Sequence, residues 1–331
     1  MKAAKIIQPG HLQIFDILNP EPAHDEVVVK VMASGICGTD IHIYRGEYLG
    51  DYPVVPGHEF SGVIISVGDA VTRFKVGDRV AVEPNISCDN CYNCLNNRQN
   101  FCLNWQAIGV TRPGGMAQNV AVPEKAVFDI GDISFEQAAF MEPLSCVVHG
   151  MERLGIEASD KVAILGAGPI GILLLQVARV QGAAEITVVD KNVSRSDFAR
   201  SKGADVSLTA IDDLKRDYYD AVIDATGSIP VMARTLEFVR HGGKVLLFGV
   251  PPGGQVMSIE PFVIFRKGLT VLSSFTSLRN SYQAIDLLKY RRIDINGLVS
   301  HQLPLQGLKE GIELIEAGQQ GVRKVLIRPN D

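Results

Sequence analysis

The chain has 331 residues, a formal net charge of −5, 46% hydrophobic residues and 21% charged residues, a length that suits two domains with a well-buried core. Its lysines and arginines are scattered rather than clustered, which leaves no electrostatic footprint for nucleic acid. Met1-Lys2-Ala3-Ala4 runs straight into the strand-like Lys5-Ile6-Ile7 without a leader-like apolar segment, and no apolar run reads as a membrane span, so the expectation is a cytoplasmic protein with no membrane partner.

From the N-terminus, strand signals occur at Ile14-Phe15-Asp16-Ile17-Leu18, ending at Asn19-Pro20-Glu21-Pro22, and at Glu26 to Val31. Gly57, Gly62, Gly68, Gly77 and Gly114-Gly115 then recur up to Pro123, the punctuation of a small, mainly antiparallel β domain with functional loops. Two loops carry chemistry: Gly35-Ile36-Cys37-Gly38-Thr39-Asp40-Ile41-His42 and Pro56-Gly57-His58-Glu59-Phe60. Cys37 and His58 offer the sulfur and nitrogen that zinc prefers, and Glu59 adds an oxygen. Taken singly, a loop cysteine or histidine more often serves structure. Their joint value depends on the fold bringing the loops together.

Residues 88 to 102 read Cys88-x-x-Cys91-x-x-Cys94-x7-Cys102, with Asn90, Asn93, Asn96, Asn97 and Asn100 between the thiols. Such a loop has almost nothing apolar to bury, and in a cytosolic chain the pattern points to metal before disulfides. A closed site of four thiolates leaves no position for substrate, so its zinc is structural; binding supplies on the order of 10 kcal/mol to folding of the loop. A helix is then predicted over 135–154, containing Met141-Glu142-Pro143-Leu144-Ser145-Cys146-Val147-Val148-His149. Glu142, set among Phe140, Met141 and Leu144, is costly to bury without a cation, and zinc is one candidate partner. Cys146 and His149 stand in no ligand spacing and are expected to pack.

A second domain is predicted from residue 150 to 281, with 1–149 and 282–331 forming the first. Val162 to Leu165 reads as a buried strand; Gly166, Gly168 and Gly171 follow in Gly-Ala-Gly-Pro169-Ile170-Gly, then a helix to about Gln181 and a strand, Ile186 to Val189, closed by Asp190. Gly166 suits the tight turn, Gly168 the approach of a pyrophosphate and Gly171 the close packing of helix on strand, while the helix N-terminus offers N–H groups to phosphate. Asp190 is placed to accept hydrogen bonds from ribose hydroxyls and repel a 2′-phosphate, favouring NAD over NADP. Lys191 and Arg195 follow closely enough to bear on that choice, and Arg195 suits stacking on adenine without reading a phosphate. Strands and helices keep alternating to Leu269–Ser273, which implies a doubly wound parallel sheet with ligands at the carboxyl ends of its strands. Thr226, Val250 and Ser274 lie just past such ends. A helix from about Tyr282, a strand near Leu298, a helix at 308–317 and the strand Lys324 to Ile327 close the chain and are expected to rejoin the first domain.

Together, G-I-C-G-T-D-I-H at 35–42, G-H-E at 57–59, the four-cysteine loop, E-P-L-S at 142–145 and G-A-G-P-I-G at 166–171 resemble the zinc-dependent medium-chain dehydrogenases over nearly the full length. E-P-L-S is most similar to the polyol, sorbitol-type branch, which acts on sugar alcohols with NAD. The resemblance implies an α/β architecture: a doubly wound (Rossmann) NAD domain beside a mainly antiparallel, GroES-like catalytic domain. It implies two zinc ions, one structural on Cys88, Cys91, Cys94 and Cys102, one catalytic on Cys37, His58 and Glu59 in an interdomain cleft. Glu142 there completes the shell or orients a zinc-bound water. Thr39 matches the hydroxyl that accepts the substrate proton and His42 the histidine that passes it from cofactor ribose to solvent; without the resemblance they read as a capping hydroxyl and a surface histidine. A homodimer or homotetramer acting on a polyol or secondary alcohol is implied.

Sorbitol dehydrogenases carry a tyrosine near the position of Ile43 and an arginine-tyrosine pair at Thr276 and Ser277, so sorbitol itself is not indicated. Arg45, Arg112 and Arg279 read first as solvated surface arginines, with contact to another polyol or a sugar-alcohol phosphate as the second reading. C-G-T-D-I-H-I-Y is also similar to threonine dehydrogenases, which keeps threonine 3-dehydrogenation or 2,3-diol oxidation open. A redox-silent NAD-binding regulator is the non-enzymatic alternative, and the complete set Cys37, Thr39, His42, His58 and Glu59 counts against it.

Overall fold

Short, apolar-rich strands broken by glycine and proline build the N-terminal part of the chain, as a computed structural model describing residues 1–48 and 51–331 shows. The chain divides into two units: Met1–Ser145 with Ser277–Tyr290 and Ile295–Asp331, and Cys146–Thr276 with Arg291–Asp294.

In the first unit β1 (Lys2–Gln8) and β2 (His11–Asp16) pair antiparallel, and β3 (Glu26–Gly35) leads into α1 (Gly38–Arg45). Next come β4 (Glu59–Val67), β5 (Arg79–Val82), β6 (Asn85–Ile86), α2 (Tyr92–Leu95), β7 (Gln106–Ala107), β8 (Asn119–Pro123) and β9 (Val127–Asp129). The helix predicted over 135–154 is two helices, α3 (Phe135–Ala138) and α4 (Met141–Leu154). Pro143 explains the break: it has no N–H for the carbonyl four residues earlier and its ring clashes there, yet it is tolerated in the first turn of a helix that restarts at Met141.

The second unit alternates as expected: β10 (Lys161–Leu165), α5 (Pro169–Val180), β11 (Glu185–Val189), α6 (Val193–Ser201), β12 (Val206–Leu208), β13 (Tyr219–Asp224), α7 (Ile229–Met232), α8 (Thr235–Phe238), β14 (Val239–Leu247), α9 (Pro261–Lys267) and β15 (Thr270–Ser273). All six strands are parallel, in the order β12-β11-β10-β13-β14-β15. Residues 171–178 of α5 are all buried, as a crossover helix pressed on a parallel sheet requires.

The chain returns to the first unit through α10 (Ser281–Lys289), β16 (Val299–Pro304), α11 (Leu308–Ala317) and β17 (Lys324–Arg328). There the sheet order is β16-β17-β3-β4-β5-β9, with β8 also on β3, antiparallel except for β16 and β17. Val27, Val29, Val31, Phe60, Ile64, Val80 and Val82 form its core. No helix among the described residues is long and apolar enough to cross a membrane.

Candidate metal centre and dinucleotide cleft

Strand register assembles the first site. Gly35 at the end of β3 faces Glu59 at the start of β4, so the loop that follows β3 and the loop that precedes β4 emerge at one end of the sheet. Cys37 and His58 lie on those loops, and the ligand atoms of Cys37, His58 and Glu59 are all within 4.8 Å of one another. Gly35 leaves room for this approach: a Cβ there would stand 2.2 Å from Glu59 Oε2 and 2.8 Å from Lys324 Cε, so both buried side chains would have to shift.

Two residues that sequence patterns did not single out complete the arrangement. Asp40, 1% exposed, accepts from the amides of Cys37 at 2.8 Å and Gly57 at 3.0 Å, stitching the two loops together. Its Oδ1 also lies 3.5 Å from His58 Nδ1, which favours a proton on that nitrogen and a lone pair on Nε2 for a metal. Its sequence signal is that of an N3 acid closing a capping box on Cys37. Lys324 has no such signal. β17 pairs Leu326 with Gly35 and so carries Lys324, 6% exposed, to Glu59, with which its ammonium forms an ion pair.

Burial raises the Asp40 carboxyl, but His58 and the two amide donors outweigh it and hold the group below the usual carboxylate range. Burial lowers His58, yet Asp40 and Cys37 lift it well above the ordinary imidazole value. Burial likewise lowers Lys324, and Glu59 with Cys37 more than offsets that. The donor set of a thiol, an imidazole and a carboxylate within 4.8 Å of one another suits a divalent cation, which such ligands would bind in their deprotonated forms. Asp40→Asn is expected to lower turnover and zinc affinity about 10- to 100-fold, read by initial rates and zinc titration with a chelator; unchanged affinity contradicts the role given to Asp40.

Thr39 sits in the first turn of α1, and His42, on the same helix with its side chain 21% exposed, is 2.8 Å from Glu47 Oε2 through Nδ1. Glu142, in the first turn of α4 and 8% exposed, is outside the three-residue ligand set. Tyr48 is near enough to His58 and Cys37 to feel their charge, and burial raises its phenol. Arg45 is paired with Glu316 and Arg112 with Glu26, so carboxylates of this chain already engage both.

The second cluster holds Cys88, Cys91, Cys94 and Cys102, their sulfurs also within 4.8 Å of one another and in no disulfide. Cys91 Sγ is 3.5 Å from Cys94 Sγ and 4.0 Å from Cys102 Sγ; a tetrahedron with metal–sulfur bonds of about 2.3 Å has edges of about 3.8 Å. Backbone amides already point at these sulfurs: Cys88 and Asn104 donate to Cys102, and Leu103 to Cys91. The Asn90 amide draws the Cys88 thiol down to about 6, whereas burial pushes Cys94 up to about 12. The donor set fits zinc.

In the second unit a cleft of about 530 Å³ opens at the carboxyl ends of β10, β11 and β13, lined by Gly166, Gly168, Asp190, Arg195 and Thr226, and also by Lys191, Thr209, Ile211 and Ser228. Val250 and Ser274 are outside that lining, while Pro169, Ile170 and Gly171 open α5. A Cβ on Gly171 would strike the Gly166 carbonyl at 1.9 Å, whereas one on Gly168 would meet nothing within 4 Å, the open approach a pyrophosphate needs. Asp190 accepts from Ala167 N at 2.8 Å and Asn192 N at 2.9 Å, which leaves each oxygen a lone pair for a ribose hydroxyl. The fully buried Asp224 holds the following turn through Thr226 and Gly227.

Residues 23–132 match the alcohol dehydrogenase GroES-like domain family, and residues 169–289 the zinc-binding dehydrogenase family. Over 312 residues the chain is 37% identical to D-altritol 5-dehydrogenase of Agrobacterium fabrum, covering 92% of this chain and 93% of that one. The chain belongs to the zinc-dependent medium-chain dehydrogenases. This dehydrogenase is also similar to L-threonine 3-dehydrogenase of Idiomarina loihiensis, 32% identical over 330 residues and 95% of each chain. Its fold matches a zinc-binding dehydrogenase of Sinorhizobium meliloti bound to NADP with a TM-score of 0.94, 35% identity and 99% of both chains covered. As a member of the family it is an oxidoreductase that uses zinc and a nicotinamide dinucleotide.

Proposed function

We propose that this dehydrogenase oxidises a secondary alcohol of a polyol to the ketone, with NAD as hydride acceptor and two zinc ions per chain. The observation that carries the reading is the convergence of Cys37, His58 and Glu59 in a chain 37% identical to an altritol dehydrogenase. Zinc at this centre supplies a Lewis acid that makes the substrate hydroxyl acidic near neutral pH. Cys37, His58 and Glu59 would hold it, and Glu142 would either join them or orient a water. Asp40 holds the two ligand loops together and sets a negative charge 3.5 Å from His58 Nδ1. Thr39 accepts the hydroxyl proton and His42, partly exposed and bonded to Glu47, delivers it to solvent. Tyr48, kept protonated by burial, offers a hydrogen bond to a neighbouring hydroxyl of the polyol. The free thiols suit a reducing cytoplasm.

NAD is favoured over NADP because Asp190, which closes the second strand of the glycine-turn unit and lines the cleft, is the type of residue that accepts from ribose hydroxyls and repels a 2′-phosphate. Asp190→Ala is expected to lower kcat/KM for NAD about 10- to 100-fold, the worth of one or two charged hydrogen bonds, with no loss for NADP. Equal losses for both cofactors overturn the preference. A homodimer or homotetramer is the expected assembly, supported by the open edge of β15 and by Phe262 and Phe265, which are 59% and 81% exposed. Initial rates with a panel of polyols, 2,3-diols and L-threonine test the substrate class. Activity on L-threonine alone replaces the polyol reading with an amino-alcohol one.

A further inference from the structure

The first unit breaks off at Ser145 and resumes at Ser277, and both residues face the same carboxylate. Glu83, just past β5 and 9% exposed, accepts through Oε2 from the hydroxyls of Ser277 at 2.7 Å and Ser281 at 2.9 Å, with Ser145 Oγ at 3.5 Å. Its Oε1 accepts from the backbone amide of Asn85 at 3.1 Å and the side-chain amide at 2.6 Å. Ser145 and Ser281 are fully buried and Ser277 nearly so. Every donor in this set is neutral. An apolar side chain of similar volume fills a buried space at less cost than a carboxylate, so the use of Glu83 lies in what it holds.

What it holds is the framework around Glu142. The single Ser145 hydroxyl proton points chiefly at the Glu142 carbonyl at 2.7 Å, with Glu83 Oε2 at 3.5 Å as the longer arm of a shared hydrogen bond, which links the first turn of α4 to the carboxylate. On the returning chain, Ser277 follows Thr276, whose φ of +50° is left-handed, a backbone state that non-glycine residues keep only where their surroundings over-determine it. Ser277 and Ser281 supply that constraint from the Glu83 side.

We propose that Glu83 is a positioning residue: one buried carboxylate that fixes both the Glu142 turn and the point at which the chain re-enters the first unit. The proposal rests on the reading of Glu142 as part of the metal centre. In Glu83→Gln the amide oxygen can face Asn85 and the amide N–H groups can face the serine hydroxyls, which turn over to accept. This variant is expected to keep kcat within about threefold of the parent. Glu83→Ala is expected to lower kcat about 10²-fold, the effect of a small misplacement at a reacting centre, with KM moving much less and zinc content unchanged. If Glu83→Ala lowers only the melting temperature, with kcat per zinc-loaded folded enzyme intact, or if the Gln variant is damaged as badly as the Ala variant, the proposal falls. Should Glu83→Ala not fold, the Ser145→Ala and Ser277→Ala pair takes its place: a double-mutant cycle in kcat is expected to be non-additive because both serines act through one carboxylate, and additive losses overturn the proposal. Glu142→Gln, run alongside, separates the two ideas. Full turnover there with loss in Glu83→Ala removes the role of Glu142 and leaves the anchor; the reverse pattern removes the anchor alone.

Discussion

Cys37→Ser is expected to remove one equivalent of zinc and lower kcat about 10³-fold or more, with the melting temperature close to that of the parent. The loss corresponds to several kcal/mol of transition-state stabilisation by the metal. Serine is the informative replacement because Cys37 is also the N-cap of α1, where Asp40 accepts from its amide; serine caps a helix well but is a poor zinc ligand. Native mass spectrometry, steady-state rates and a thermal melt report metal, chemistry and fold separately. Full zinc content together with full turnover would remove Cys37 from the metal centre, and with it the reading of this site as a Lewis-acid centre.

Cys91→Ser should act on the opposite property. Among residues 88–104 only Cys94, Asn100 and Cys102 are buried, and Tyr92, Leu95 and Leu103 are 71%, 72% and 72% exposed. The segment therefore has no apolar core, and metal binding, worth on the order of 10 kcal/mol in comparable small sites, takes its place. The variant is expected to lose one zinc and become open to proteolysis between residues 88 and 104, while the Cys37 site keeps its own ion. Chelation of the parent should open the same segment, and added zinc should close it. Persistent resistance to protease in the zinc-depleted variant counts against a structural metal.

The two sites differ in how far they can be read from residue order. The four cysteines lie within fifteen positions of one another, so spacing alone brings their sulfurs together, and the same holds for Gly166, Gly168, Gly171 and Asp190, which one βαβ unit positions. Cys37, Glu59 and Lys324 are different: they meet because β3 pairs with β4 and with β17 in a particular register. Local pattern also overreached at 135–154, where the single predicted helix is two, with the restart at Met141 that Pro143 imposes.

Residue order by itself determined the alternating α/β half, the glycine turn, the cysteine cluster and the zinc-dependent dehydrogenase resemblance, because each depends on residues close in sequence whose geometry a turn or a helix fixes. Only the tertiary structure decided that Asp40 bridges the two ligand loops, that Lys324 stands against Glu59, and that Glu83 gathers Ser145 and Ser277. Those groups are distant along the chain, and the pairing of strands, which no local spacing encodes, sets which of them share a buried volume.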